Sequence, residues 1–162
     1  MSDINKVKVF RNKYPIATKV IWDDAVKKVN FDVDNDAFYA LKEETDVREE
    51  RVTIIGLTNY RTPSVKTAYD AVFSEFPMIE SMYLYISKTK GSHCFDRHND
   101  PEAVLLVQCI GSMTYEFDDG STRTIEPGDA LYIPSEVYHN PTVNSPRVTM
   151  SFGLPVGYQM EE

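Results

Sequence analysis

Two imidazoles and a carboxylate held on one surface make a site for a divalent transition metal, and this chain of 162 residues offers such a set. Phe95-Asp96-Arg97-His98-Asn99-Asp100 carries a histidine and an aspartate two positions apart. In an extended segment, residues i and i+2 share a face about 7 Å apart, so His98 and Asp100 point one way and Asn99 the other. The third ligand must then come from another strand. His139 is the candidate: it closes Gly128-Asp129-Ala130-Leu131-Tyr132-Ile133-Pro134-Ser135-Glu136-Val137-Tyr138-His139. There Gly128 permits a turn, and Pro134 ends a strand and redirects the chain. Three ligands on one face leave half an octahedron open, as Fe(II) requires if it is to take a chelating cosubstrate and then O₂. A lone H-x-D is weak evidence, and a lone buried histidine is more often a satisfied core residue. The weight rests on the conjunction of both segments, with His139 lying 39 residues beyond Asp100.

Such a triad needs strands to hold it, and the chain from Ile79 onward is strand-rich. Met82–Ile86, Ala103–Ile110, Met113–Phe117, Thr122–Glu126, Ala130–Ile133 and Arg147–Leu154 all read as strands. Asp118-Asp119-Gly120-Ser121 suits a tight hairpin turn between two of them. Short strands separated by turn signals suggest a sandwich or small barrel. Residues 1–77 are more mixed. Ser64–Phe76 is the best helix there, with Ser64 as N-cap, apolar residues at spacings of three and four, and Pro77 as the stop. The charge clusters over residues 42–51 read as a solvated face or loop. The expectation is a single domain over 1–162, with a β-rich core at 79–154 and an N-terminal α/β elaboration at 1–77.

Composition narrows the function classes. A net charge of −8 argues against a nucleic-acid binder that neutralises phosphates. No apolar run approaches the ~20 residues of a membrane span, and the first residues lack a signal-peptide pattern. Cys94 and Cys109 read as reduced thiols, which with the absent leader points to a cytoplasmic protein. Oligomeric state is not legible.

The segments around the triad resemble the cupin superfamily. Its second motif, G-x5-P-x-G-x2-H, is matched by Gly128, Pro134 and His139, with Glu136 where the family prefers glycine. Its first motif is matched with changes: Gly91 lies one residue too far back, Asp100 replaces a histidine, Val104 replaces a glutamate, and Gly111 is in place. The H-x-D…H pattern resembles the Fe(II)/2-oxoglutarate oxygenases, most closely small Jumonji-C-type hydroxylases. That resemblance implies a double-stranded β-helix, Fe(II) at His98, Asp100 and His139, 2-oxoglutarate as cosubstrate, and a peptide, protein side chain or small metabolite as substrate. The family's usual basic anchor for the distal carboxylate falls on Met113, and its hydroxyl partner on Phe95. Arg147 with Thr149, on one strand face with Ser151, resembles the R-x-S clamp of other 2-oxoglutarate oxygenases; the alternative is an Arg147 that faces solvent. Tyr85 and Tyr83 are candidates to line the cosubstrate pocket or else belong to the core. His93 reads as surface, and Lys88 and Lys90 as a loop rim. Other readings of the same triad are an isomerase- or lyase-type metal cupin, for which Met113 speaks, and a non-catalytic ligand-binding cupin.

Overall fold

The alternating direction of side chains along three long strands sets the architecture of the protein, whose computed structural model describes residues 4–42 and 51–160. These strands are β4 (Ser81–Ser87), β5 (Val104–Ile110) and β10 (Arg147–Gly153). Met82, Leu84 and Ile86, Leu105, Val107 and Cys109, and Val148, Met150 and Phe152 form one face, packed against helices. Val104 and Leu106 face the other way, into a second core. A strand covered on both faces has no solvent side, which is why β5 is an almost unbroken apolar run.

The remaining strands are β1 (Lys8–Phe10), β2 (Phe38–Leu41), β3 (Thr53–Gly56), β6 (Met113–Phe117), β7 (Thr122–Ile125), β8 (Ala130–Ile133) and β9 (His139–Val143). They form an antiparallel seven-stranded sheet in the order β1-β8-β5-β10-β4-β3-β2 and a three-stranded sheet in the order β7-β6-β9. The small sheet lies against the inner face of the large one, and Met113, Tyr115, Phe117, Ile125, Leu131 and Ile133 fill part of the space between them. This is the jelly-roll arrangement that the motifs imply. The N-terminal strands lengthen the large sheet at both ends, with β1 on β8 and β3 on β4. Strand β9 is the one core strand that the sequence pattern does not announce, because Asn140 and Pro141 interrupt its alternation. The charge cluster read as a solvated loop lies mostly outside the described residues.

Two helices, α1 (Trp22–Asp34) and α2 (Pro63–Glu75), cover the outer face of the large sheet. The N-cap of α2 is Thr62 rather than Ser64, because Pro63 occupies the first helical position, where a missing N–H costs nothing. Ser64 is engaged elsewhere: its amide and hydroxyl donate to the Asp24 carboxylate of α1 at 2.8 and 2.6 Å. Asp24 thus satisfies a first-turn amide of α2 from another helix, and those hydrogen bonds hold its carboxyl below the usual range. Among the described residues no helix is long and apolar enough to cross a membrane.

Among the described residues one ion pair is wholly buried. Lys28 Nζ lies 2.5 Å from Asp32 Oδ2 one helical turn away and donates to the Thr58 carbonyl at 2.7 Å. Burial pushes the Lys28 ammonium down from its ordinary value, and Asp32 opposes that. Gly56 has to be glycine here, since a Cβ would collide with Asp32 Oδ2. Removing one partner of such a pair strands the other charge, so Asp32→Ala should cost about 3–5 kcal/mol in urea unfolding. A loss below about 1 kcal/mol would show that Lys28 finds water or a new partner.

Candidate metal centre

His98 and His139 meet through their backbones. The His98 amide donates to the His139 carbonyl at 3.0 Å, and the His139 amide returns a bond of 2.8 Å. This isolated antiparallel bridge replaces the extended strand expected over 95–100. It is sufficient, because a directly opposed pair places both side chains on one face. The imidazole centroids stand 4.4 Å apart. Asp100 is added by a second contact, in which the Glu136 amide donates to the Asp100 carbonyl at 2.7 Å.

The two contacts differ in register by one residue, and the chain absorbs the difference at Glu136, whose φ is +64°. This is the position where the cupin motif prefers glycine. The left-handed conformation persists although the residue has a Cβ.

The histidine tautomers are set by backbone carbonyls, which can only accept. His98 Nδ1 lies 2.7 Å from the Asp96 carbonyl and His139 Nδ1 2.9 Å from that of Val137, so each Nδ1 carries the hydrogen. Both Nε2 lone pairs are therefore free. They lie 3.9 and 3.7 Å from Asp100 Oδ2, and the three donor atoms all lie within 4.8 Å of one another. Donors that each sit about 2.0–2.2 Å from a common ion are at most about 4.4 Å apart, so both carboxylate–imidazole separations lie within reach of one ion. His139 is 4% exposed. Burial holds its imidazole below the ordinary histidine range, against the Val137 carbonyl and Asp100, which favours the neutral form that a metal binds. The donor set, its tautomers and its spacing fit a divalent transition metal. His93 stands outside this cluster, half-buried, with its amide on the Arg51 carbonyl.

The triad opens into a cavity of about 110 Å³ between the sheets. Opposite the histidines, the inward faces of β4 and β10 contribute Tyr83, Tyr85, Arg147, Thr149 and Ser151. Arg147 does not face solvent; it is 2% exposed. Its Nε donates to Ser87 Oγ at 2.8 Å and its Nη1 to Thr149 Oγ1 at 3.0 Å. Among the described residues no carboxylate lies within ion-pair distance of it. A guanidinium has five N–H donors, so most of its donor capacity is left for the cavity it lines. The Tyr85 ring lies 5.2 Å from the guanidinium carbon. Burial pushes the Tyr85 hydroxyl up to about 12, against the pull of Arg147. Tyr85 is thus a cavity residue.

Met113 is fully buried in the core between the sheets, and Phe95 lines the cavity mouth, so the positions of the usual anchor supply no charge. Thr149 lines the cavity beside Arg147. Its hydroxyl hydrogen goes to Gln108 Oε1, 2.8 Å away, so it supports Arg147 and does not offer a donor to an anion. Sequence reasoning passed over Ser87, Gln108 and Tyr115. Ser87 continues the period-two face of Tyr83 and Tyr85, and Gln108 is the polar residue in the run 103–110, so both left a signal.

Glu136 yields a test of how this centre is held. An L-residue in the left-handed region costs about 1–2 kcal/mol, part of which the flexibility of glycine returns in the unfolded state. Glu136→Gly should therefore raise the thermal midpoint by about 2–4 °C. An unchanged or lower midpoint would show that the Glu136 side chain contributes what its backbone loses.

No protein-family model matches the sequence, and no curated protein does. The X-ray structure of E. coli YcfD superposes with a TM-score of 0.71 at 13% identity, covering 94% of this chain and 50% of that one. The structure of YcfD, a ribosomal oxygenase from Escherichia coli, in complex with cobalt and 2-oxoglutarate gives 0.69 at 14% identity, covering 94% and 48%. A further structure of the same ribosomal oxygenase gives 0.57 at 20% identity, covering 72% and 35%. The chain spans about half the length of these proteins, and at such identities the likeness is one of fold. The protein carries the jelly-roll fold of an oxygenase that has been seen with 2-oxoglutarate bound, the fold that its own cupin-like motifs imply.

Proposed function

We propose that the protein is an Fe(II)- and 2-oxoglutarate-dependent oxygenase that hydroxylates a peptide or protein side chain or a small metabolite. The observation that carries this reading is the pairing, in one cavity, of a buried cation with no acidic partner among the described residues and a triad of free metal-donor atoms. A buried charge without a partner is costly, so the cavity calls for an anion. 2-Oxoglutarate has a keto-acid end for a metal and a distal carboxylate for an arginine. The YcfD complex with cobalt and 2-oxoglutarate supports the reading through a shared fold.

His98, Asp100 and His139 would hold the metal from one face. Iron, when bound there, would supply oxidative decarboxylation of the keto acid coupled to hydroxylation of the substrate. Arg147 would neutralise the distal carboxylate and, anchored by Ser87 and Thr149, would fix the length of acid that fits. Val104, Leu106, Met113 and Tyr115 would keep water from the inner wall. Met113 stands where the Jumonji-C resemblance expects a cation. Arg147 would serve that need from the opposite sheet, so the missing anchor does not favour an isomerase- or lyase-type cupin.

His98→Ala, Asp100→Ala and His139→Ala should each abolish tight binding of Fe(II) or Co(II), while His93→Ala should retain it. Metal analysis of the purified variants decides this, and full occupancy in His139→Ala would remove that residue from the site. Arg147→Ala should leave metal affinity unchanged. Losing a charge-assisted contact to a buried carboxylate costs about 2–5 kcal/mol, so 2-oxoglutarate binding should weaken by about thirtyfold to several thousandfold. Anaerobic titration of 2-oxoglutarate into the Fe(II) protein, with succinate release under O₂, measures both. A parent protein that binds metal but neither binds nor turns over 2-oxoglutarate would return the site to non-oxygenase metal chemistry.

A further inference from the structure

Gln108 occupies a fully buried position on β5. Its side-chain nitrogen donates to the carbonyls of Ile110 at 2.8 Å and Gly111 at 3.1 Å, which uses both amide hydrogens and settles the orientation of the group. Its Oε1 therefore faces Thr149 Oγ1 at 2.8 Å, and an amide oxygen can only accept. Thr149 has a single hydroxyl hydrogen, which this bond consumes. What Thr149 has left is a lone pair, and Arg147 Nη1 donates to it at 3.0 Å. On the far side of Arg147, Nε donates to Ser87 Oγ, which lies 2.7 Å from Thr53 Oγ1.

The row is written into the sheet register. Thr149 lies opposite Gln108, Arg147 opposite Ser87, and Ser87 opposite Thr53. A bulge between β10 and β5 at Val148/Thr149 brings Gln108 into line with Thr149. The Gly128–Asp129 turn holds the Gln108 backbone, through bonds of 2.8 Å to its carbonyl and 3.0 Å from its amide.

We propose that Gln108 is a positioning residue for the anion pocket: by taking the Thr149 hydroxyl hydrogen, it makes Thr149 an obligate acceptor that holds Arg147 with its unused N–H groups toward the cavity. The inference rests on the reading of that pocket as the 2-oxoglutarate site. Without Gln108 the Thr149 hydroxyl rotates, and its hydrogen points at the guanidinium for part of the time. The arginine then loses a fixed support and must be ordered when the carboxylate arrives. Gln108 touches neither metal nor cosubstrate, so its effect is confined to the affinity for the acid.

The test is calorimetric titration of 2-oxoglutarate into the cobalt-loaded parent, Gln108→Leu, Thr149→Val, Thr149→Ser and the Gln108→Leu/Thr149→Val double variant, with Co(II) affinity measured on the same proteins. Gln108→Leu and Thr149→Val should each weaken 2-oxoglutarate about tenfold. Because they break one relay, the double variant should also be weaker by about tenfold and not a hundredfold. Thr149→Ser should bind like the parent, and cobalt affinity should stay within about twofold throughout. Parental affinity in Gln108→Leu, or a hundredfold loss in the double variant, overturns the relay and leaves the oxygenase reading standing. A cobalt-loaded parent that takes up no 2-oxoglutarate overturns both. If Gln108→Leu fails to fold, the threonine pair decides: equal affinities in Thr149→Val and Thr149→Ser overturn the proposal.

Discussion

A cation buried between two sheets has to be satisfied by the strands that bury it, and in this protein that requirement falls on Arg147. Its neighbours across the large sheet are chosen accordingly. Ser87, Thr149 and Gln108 are all buried polar residues in strands whose other face is apolar. Each occupies the position that the antiparallel register sets beside the guanidinium or its support. An apolar residue at any of them would leave a hydrogen-bonding group unpaired at about 1–3 kcal/mol, while a carboxylate would quench the charge. The result is a guanidinium held at two of its three nitrogens, with donor capacity left for the cavity that it lines.

The metal-donor triad is built differently. Its geometry comes from main-chain bonds: the reciprocal pair between His98 and His139, and the Glu136 amide on the Asp100 carbonyl. Main-chain carbonyls also set both tautomers. The side chains therefore spend nothing on holding one another and keep their Nε2 lone pairs and carboxylate for a ligand. Arg97 adds an outer brace, with a two-pronged contact to Asp118 at 2.8 and 2.6 Å and its guanidinium over the Tyr138 ring at 3.9 Å. It joins the residues next to His98 and His139 to the hairpin between β6 and β7. Most of this brace is exposed, so its value is directional more than energetic.

The two centres sit on opposing sheets and face one cavity, so a basic residue on either sheet would reach the same space. Met113 lies on the small sheet, where the Jumonji-C resemblance expects a basic anchor. Arg147 lies on the large sheet, and both line the same space. A carboxylate between the sheets can be neutralised from either wall, provided that the other wall is then apolar. Met113 supplies that apolar wall.

Much of this was legible in the residues themselves. The strands of the core follow from β-prone apolar runs and turn chemistry, because both are local properties of the chain. His98, Asp100 and His139 could be named because metal chemistry accepts few residue types and the motifs give their spacing. What remained hidden were facts of register. Ser64 was engaged by Asp24 of another helix, the extended segment at 95–100 shrank to one bridge, and β9 was masked by Asn140 and Pro141. The reversed role of Thr149 could not be seen at all from the sequence. A hydroxyl can donate or accept, and only the tertiary placement of Gln108, 41 residues away and itself oriented by two backbone carbonyls, decides which.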